Sequence, residues 1–206
     1  MGKRQHPDRA DNLRRALAQE AARLMAEHGI RDFLSAKLKA AERLGVVDKA
    51  ALPRNIEIEA ALAEYQRLFG SQSHDESLYA QRLVALQAMR YFQEFQPRLV
   101  GPVLSGTATE YSDVQLHIFT DSAESVAIKL MDERIPHEVI ERRVKMNAER
   151  VLACPGVRFE IDAQLVEATV FPIDGIRQAP ISPVDGKPMR RAGVDELEAL
   201  INAAGR

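Results

Sequence analysis

The spacing of apolar residues changes at Pro97, and this change constrains the fold more than any other feature of the sequence. Before Pro97, apolar residues recur every three or four positions, which is the spacing of amphipathic helices. After it, segments such as Asp113–Phe119 alternate apolar and polar residues, as half-buried strands do. The sequence therefore predicts an α+β protein, with a helical region at residues 1–96 and a small mixed β-sheet domain at residues 97–206.

The helical region contains four apolar stripes, each followed by a residue that ends helices. The four stop signals are Gly29, Gly45, Gly70 and Pro97. The polar segment 70–77 follows the third stripe and is predicted to be a linker. A chain of 206 residues fits either one domain with a long extension or two small domains.

In the second half, turn residues separate short stretches of alternating pattern. The predicted strands are residues 98–104, 113–119, 137–146, 157–162 and 164–171, the third of these being compatible with a helix as well. A helix is predicted at 122–134 and another from Val194 onward. Residues 172–191 are rich in proline and glycine and are predicted to be irregular.

Composition restricts the compartment and the class of partner. The net charge of -2 provides no global attraction to nucleic acid or to an anionic membrane. The single cysteine, Cys154, excludes an internal disulfide and a cysteine-rich metal site. The polar, basic start, Met1–Arg15, is unlike a signal peptide, and no apolar run has the length of a membrane span. We therefore expect a cytoplasmic protein that does not contact a membrane.

The segment Leu99–Phe119 combines two glycines with a polar strand face. A strand leads into a turn at Gly101, and the following strand carries Asp113, Gln115 and His117 on one side. A glycine turn brings backbone N–H groups close to a phosphate, and an adjacent strand supplies oxygen ligands for a metal ion. The alternative interpretation is that these three residues form the solvated face of an edge strand.

This segment resembles the nucleotidyltransferase fold of the polymerase-beta type, whose minimal motif is a Gly-Ser turn followed by Asp-x-Asp on a strand. Gly101 and Gly106 match the glycines of that motif, and Ser112 and Asp113 match the residues that lead into its acidic pair. The resemblance implies a nucleotidyltransferase-like topology at residues 97–171. It also implies Mg²⁺ and a nucleoside triphosphate (NTP) as cofactors.

The resemblance assigns roles to individual positions. Asp113 and Gln115 take the catalytic positions, and Gly101, Pro102 and Gly106 the phosphate-binding ones. Pro102 replaces the family's serine, and Gln115 replaces its second aspartate. An amide oxygen is a poorer ligand for Mg²⁺ than a carboxylate, so the metal site is predicted to be degenerate.

The predicted metal ligands come from two segments. The set comprises Asp113, Gln115, His117, Glu160 and Asp162. His117 shares the strand face of Gln115, and imidazole favours Zn²⁺ or Mn²⁺ over Mg²⁺. The third carboxylate of the family's centre is open between Glu160, Asp162 and Glu167.

Two basic segments are candidates for contact with phosphate. The irregular segment carries Arg177, Lys187, Arg190 and Arg191, and guanidinium groups bind phosphate in a bidentate manner. Between residues 3 and 43, ten basic residues face six acidic ones. This excess predicts a helical surface compatible with a nucleic-acid backbone.

Three functions remain open on the sequence alone. The first is a nucleotidyltransferase-like protein with a degenerate metal site, which binds nucleotide or nucleic acid rather than transferring nucleoside monophosphate efficiently. The second is an active metal-dependent nucleotidyltransferase that acts on a hydroxyl of a protein, an RNA or a small molecule. The third is a non-catalytic helical module that binds a protein partner, as an antitoxin or regulator does.

Overall fold

The computed structural model describes residues 7–204, and the side chains of residues 10–70 and 73–204. This part of the chain is α+β, as predicted, with helices concentrated in its N-terminal half. The helices are α1 (Pro7–His28), α2 (Phe33–Arg43), α3 (Asn55–Phe69), α4 (Ser71–Tyr91), α5 (Gly101–Ser105), α6 (Glu124–Asp132) and α7 (Val194–Ala204). The strands are β1 (Arg98–Val100), β2 (Val114–Phe119), β3 (His137–Lys145), β4 (Val151–Ile161) and β5 (Gln164–Phe171).

The chain divides into two compact units. Of the described residues, one unit contains 7–74 together with 109–111 and 183–185, and the other contains 75–108, 112–182 and 186–204. The division lies within α4, whereas the sequence places the domain boundary at residue 96. That boundary stays a prediction, because a compact unit is not by itself an independently folding domain.

The first unit is built on α1, α2 and α3. Leu17, Leu24 and Ile58 are fully buried at its centre, on the apolar stripes that the helical spacing predicts. Asp32 caps α2, because its carboxylate accepts a hydrogen bond of 2.7 Å from the Ser35 N–H. Burial of these stripes is the main source of stability in this unit.

The predicted linker at residues 70–77 is wrong. The helix α4 begins at Ser71, immediately after Gly70 ends α3. The His74 N–H donates to the Gly70 carbonyl oxygen at 2.7 Å, so helical hydrogen bonding begins at the glycine itself. The polar residues that suggested a linker lie in the first turns of α4, which do not need an apolar stripe.

The second unit contains a five-stranded mixed sheet with the order β1-β2-β5-β4-β3. The pair β2/β5 is parallel and the other pairs are antiparallel. The strand predicted at 137–146 is confirmed as β3, and the strands predicted at 157–162 and 164–171 are confirmed as β4, which begins earlier at Val151, and β5. The strand predicted at 98–104 is only partly correct, since residues 101–105 form α5.

One face of the sheet holds the core of the second unit. Val114, Leu116 and Ile118 of β2 are fully buried there, against Phe92 and residues of α6 and α7. Leu130 and Leu197 are fully buried in the same cluster. The predicted alternation of β2 is therefore confirmed, and its other residues lie on the opposite face.

Membrane-spanning helices are absent from residues 7–204. None of the helices there combines the length and the apolar character that crossing a bilayer requires.

Candidate functional site

The face of the sheet opposite the core carries most of the predicted site residues, and we call it the polar face. Strand alternation and register place the following residues on it, from β1 to β3: Arg98, Gln115, His117, Glu167, Thr169, Arg158, Arg142 and Glu138. Charged residues from four strands are thereby brought together. The strand order produces this arrangement, because β5 lies between β2 and β4 and β3 follows β4.

The Gly101 turn and the polar edge of β2 lie next to each other. Gly101 has a φ of +71°, and a Cβ on it would lie 2.5 Å from Oε1 of Gln115. Glycine is required here both by this left-handed backbone conformation and by the close approach of the Gln115 side chain. Pro102 follows within the first turn of α5. The structure thus brings together the two segments that the sequence analysis pairs.

Glu167 lies directly beside Gln115 in the parallel register of β2 and β5. Its carboxylate accepts hydrogen bonds from Nε and Nη2 of Arg142. It also accepts one of 3.2 Å from Nη2 of Arg158, its register partner on β4. The side chain of Glu167 is 8% exposed. A nearly buried carboxylate is therefore neutralised by two guanidinium groups.

Asp113 contributes to the same electrostatic environment from the residue before β2. The hydrogen bonds to Glu167 raise the pKa of Arg142 against the opposing effect of burial, and the negative charges of Glu167 and Asp113 raise it further. Arg158 also contacts a second carboxylate, since its Nη1 lies 3.4 Å from Oε2 of Glu138. Asp113, Gln115, Glu167 and the two arginines form one cluster, which we call the Glu167 cluster.

The residues of this cluster do not fit the two-metal centre that the resemblance implies. That centre needs three carboxylates, whereas Asp113 and Glu167 are the carboxylates here and Gln115 supplies a neutral amide. The oxygens of Glu167 are already bonded to Arg142 and Arg158. Within the described residues, no group of three or more His, Cys, Asp or Glu side chains is placed to hold a metal ion.

His117, one of the predicted metal ligands, is buried and already hydrogen-bonded within the protein. It is buried, its Nδ1 accepts a hydrogen bond of 3.0 Å from Nε of Arg191, and its ring packs on Phe171 with centroids 4.6 Å apart. Burial lowers the pKa of His117 to about 3, and the positive charge of Arg191 acts in the same direction. A neutral imidazole already bonded to Arg191 acts as a structural acceptor.

The other two predicted metal ligands lie towards the end of the hairpin. Glu160 is exposed and pairs in register with Leu165. Asp162 lies in the turn between β4 and β5, with a φ of +51°, and lines a cavity of about 300 Å³ with Gln81 and Gln164. Glu167 is the candidate third carboxylate that faces Gln115.

The four basic residues of the irregular segment differ in burial and in bonding. Arg191 turns onto the polar face and donates to the carbonyl oxygens of Gly175 and Ile176, at 2.9 and 3.3 Å. Arg190 is exposed and forms an ion pair with Glu196. Arg177 and Lys187 are exposed. Their role in phosphate binding stays a prediction.

The basic N-terminal segment is partly neutralised within the first unit. Arg23 pairs with Glu20 and Glu27, and Arg43 pairs with Glu20. Lys3 and Arg4 lie outside the described residues. The predicted nucleic-acid surface stays a prediction, with part of its charge excess compensated locally.

Two arginines of the Glu167 cluster, and one buried arginine outside it, were missed by sequence reasoning. Arg142 and Arg158 reach Glu167 only because β4 and β3 follow β5 in the sheet, and alternation does not reveal strand order. Arg82 is buried on α4, four residues after Leu78 and three before Ala85. A charged residue within an apolar stripe was the available signal.

Cys154 is buried beside Phe119 and Phe171. Burial raises the pKa of its thiol.

Comparison of the chain with protein-family models, with curated proteins and with solved structures returned no match.

Proposed function

We propose that this protein binds a nucleoside triphosphate at the polar face of its sheet and does not transfer the nucleoside monophosphate. The observation that carries the proposal is the Glu167 cluster. Glu167 lies beside Gln115, at the place where the resemblance implies metal-binding carboxylates, and two guanidinium groups hold it. The guanidinium groups of Arg142 and Arg158 thus supply positive charge at the place where enzymes of that fold hold metal ions.

Two features support binding of phosphate. The side chains of Arg142 and Arg158 are 45% and 32% exposed, so part of each guanidinium group remains open to a ligand. Planar guanidinium donors are well suited to phosphate oxygens.

The absence of transfer follows from the chemistry of the donors. Phosphoryl transfer of this type depends on cations that align the attacking hydroxyl and neutralise the leaving pyrophosphate. A guanidinium group neutralises charge but cannot coordinate and activate a hydroxyl. With Gln115 in place of an aspartate and Glu167 bonded to arginine, the acidic ligands are too few for that role.

The test is calorimetric titration of the full chain with each NTP, once with EDTA and once with excess Mg²⁺. We expect binding in EDTA, with similar affinity in Mg²⁺, and no release of pyrophosphate with any acceptor in cell extract. Arg142→Gln should weaken binding roughly tenfold, because it removes a charge-assisted hydrogen-bond donor. Arg143→Gln is the matched control, since Arg143 is exposed and follows Arg142 on the same strand, facing the other side.

Three results would contradict the proposal. Binding that requires Mg²⁺, or pyrophosphate release that Asp113→Ala abolishes, would favour the active nucleotidyltransferase. Failure of every NTP to bind would remove nucleotide as the ligand. An oligonucleotide affinity that falls steeply with salt, without NTP binding, would indicate nucleic acid instead.

A further inference from the structure

A cavity of about 300 Å³ lies between α4 and the turn that joins β4 to β5. Its lining comprises residues of one face of α4, from Ser77 to Gln87, together with Asp162 and Gln164 of the hairpin. The volume is at the lower end of the range for small-molecule sites in proteins. We call it the Asp162 cavity, and its described lining shares no residue with the Glu167 cluster.

Charge limits what the Asp162 cavity binds. Asp162 is the one charged residue of the described lining, whose other polar groups are a serine hydroxyl and three glutamine amides. Its carboxylate is exposed and forms no ion pair within the described part of the chain. A carboxylate with no cation beside it in the lining disfavours phosphate and favours a positively charged ligand.

The hairpin side of the cavity offers hydrogen-bond acceptors. Nε2 of Gln164 donates to the carbonyl oxygens of Ser112 and Leu165, at 2.9 and 3.4 Å. A primary amide has two N–H donors, and both are used in these bonds, so its carbonyl oxygen is the group that Gln164 presents to a ligand. The carboxylate of Asp162 is also an acceptor. The two groups therefore match a ligand that carries several N–H donors.

These acceptors are held in fixed positions. Gln81 is 3% exposed, and its Nε2 lies 3.5 Å from the same Ser112 carbonyl oxygen that Gln164 contacts. Asp162 and Ala163 form a two-residue turn in which both have a positive φ, +51° and +62°, as in tight hairpin connections. A site whose groups are already in place loses less conformational entropy on binding.

The helix side of the cavity adds apolar surface. Ala80, Leu83 and Val84 line it, and the side chain of Leu83 is 43% exposed. Methylene groups pack favourably on such a surface. Acceptors on one side and a short apolar wall on the other match an alkyl chain that ends in an ammonium group.

Structural roles account for only part of this arrangement. The glutamine amides hold the Ser112 carbonyl oxygen, and aspartate tolerates the left-handed conformation of a tight turn. Neither role requires an open cavity beside the carboxylate, or small and amide side chains such as Ala80 and Gln87 on the facing helix.

We infer that the Asp162 cavity binds an alkylammonium group. The ammonium group bonds to the carboxylate of Asp162 and the amide oxygen of Gln164, and the methylene chain packs against Leu83 and Val84. The inference goes beyond the proposed function and does not depend on it. A free diamine and a lysine side chain of a protein partner supply the same chemistry.

The first experiment titrates the full chain with 1,4-diaminobutane and with its neutral counterpart 1,4-butanediol, at equal ionic strength adjusted with sodium chloride. The readout is the set of glutamine side-chain NH₂ resonances in NMR spectra. The diamine should shift the signals of Gln81 and Gln164 along a saturable curve that gives Kd, and the diol should not.

Asp162→Asn should weaken binding of the diamine about fivefold, as expected for loss of a partly exposed ion pair. Asparagine also tolerates a positive φ, so the turn should be retained. Glu160→Gln is the matched control, because Glu160 is an exposed carboxylate two residues earlier that is not part of the described lining. It should leave Kd unchanged.

Ala80→Leu keeps the inference falsifiable if Asp162→Asn disturbs the turn. Ala80 is exposed on α4, and leucine is a good helix former that fills the cavity without changing charge. This variant should weaken binding at least about tenfold. Equal responses to diamine and diol, or wild-type affinity in both Asp162→Asn and Ala80→Leu, would overturn the inference.

A second experiment uses Nα-acetyl-lysinamide to separate the two sources of the ammonium group. Tighter binding than that of 1,4-diaminobutane supports the inference with a lysine side chain as the ligand, and weaker binding supports it with a free amine. Affinity for both compounds that Asp162→Asn leaves unchanged would overturn the inference.

Discussion

Arginine is used in opposite ways in the two halves of the polar face. In one half, Arg142 and Arg158 bond to the carboxylate of Glu167 and remain partly exposed. In the other half, Arg191 has no carboxylate partner within the described residues. Its guanidinium group lies over the rings of Phe119 and Phe171, at 5.0 and 5.2 Å from their centroids.

The difference separates a structural role from a binding role. The bonds of Arg191 to His117 and to the carbonyl oxygens of Gly175 and Ile176 attach the irregular segment to the sheet. Burial lowers the pKa of Arg191 to about 10, and the charge of Arg98 adds to this effect, so the residue remains charged at neutral pH. This half is closed by its own side chains. The half around Glu167 keeps its guanidinium groups accessible, which is the condition for binding an anionic ligand.

The largest effect is expected from Arg191→Ala. The variant removes bonds to an imidazole and to carbonyl oxygens, together with contacts over two rings. We expect the free energy of unfolding to fall by about 4 kcal/mol, measured by urea denaturation with circular dichroism. Arg190→Ala removes an exposed arginine next along the chain and should cost much less. Equal losses in the two variants would remove the distinction between the halves.

The free energy of unfolding should fall at acid pH because His117, in the half closed by Arg191, is buried in its neutral form. The pKa of His117 is about 3 in the folded protein and about 6.5 in the unfolded chain. Between these values the unfolded chain binds a proton that the folded protein does not, so stability falls as the pH falls through this range. The loss from His117 between pH 7 and pH 4 should be about 3 kcal/mol.

The control for this effect is a pair of glutamine variants. His117→Gln should lose this component of the pH dependence, and His137→Gln should keep it. Identical pH profiles of the free energy of unfolding in wild type and His117→Gln would show that the buried imidazole does not act in this way.

Glu167→Gln tests the open half. The amide keeps the size of the side chain but removes the negative charge that Arg142 and Arg158 share. We expect the free energy of unfolding to fall by about 2 kcal/mol. This is less than the loss for a fully buried ion pair, because both arginines are partly exposed. Glu138→Gln serves as the control, since Glu138 is exposed and its contact with Arg158 is a surface ion pair. Denaturation curves that coincide for the wild type and Glu167→Gln would contradict this prediction.

Gly101→Ala should have the smallest effect, lowering the free energy of unfolding by about 1 kcal/mol. Gly186 has a similar φ of +73°, but a Cβ added there would have no atom within 4 Å, so Gly186→Ala measures the backbone strain alone. Any excess loss at Gly101 reports the collision with Gln115. The double variant Gly101→Ala/Gln115→Ala should remove that excess, and its persistence would mean that Gln115 is not the neighbour that matters.

Local pattern was sufficient for most elements of the fold. Alternation predicted β2, β4 and β5, because one face of each strand is buried in the core. The same reasoning failed at residues 101–105, where the apolar residues Val103 and Leu104 suggested a strand. A glycine in the left-handed conformation followed by proline begins a short helix there.

The candidate site was less predictable, because it depends on contacts between distant segments. The approach of Gly101 to Gln115 follows from adjacent strands and was anticipated. Alternation gives the face of each carboxylate but not its neighbour, and only the register of β2 with β5 shows that Glu167 faces Gln115. The arginines that bond to Glu167 come from strands whose order the sequence does not specify.

The most direct test of the account follows the arginine Nε–H resonances in NMR spectra of the full chain as ATP is added in EDTA. We predict that the signals of Arg142 and Arg158 shift with ATP concentration, while the signal of Arg191 stays in place. Arg142 and Arg158 signals that do not move, or a shift confined to Arg191, would contradict it.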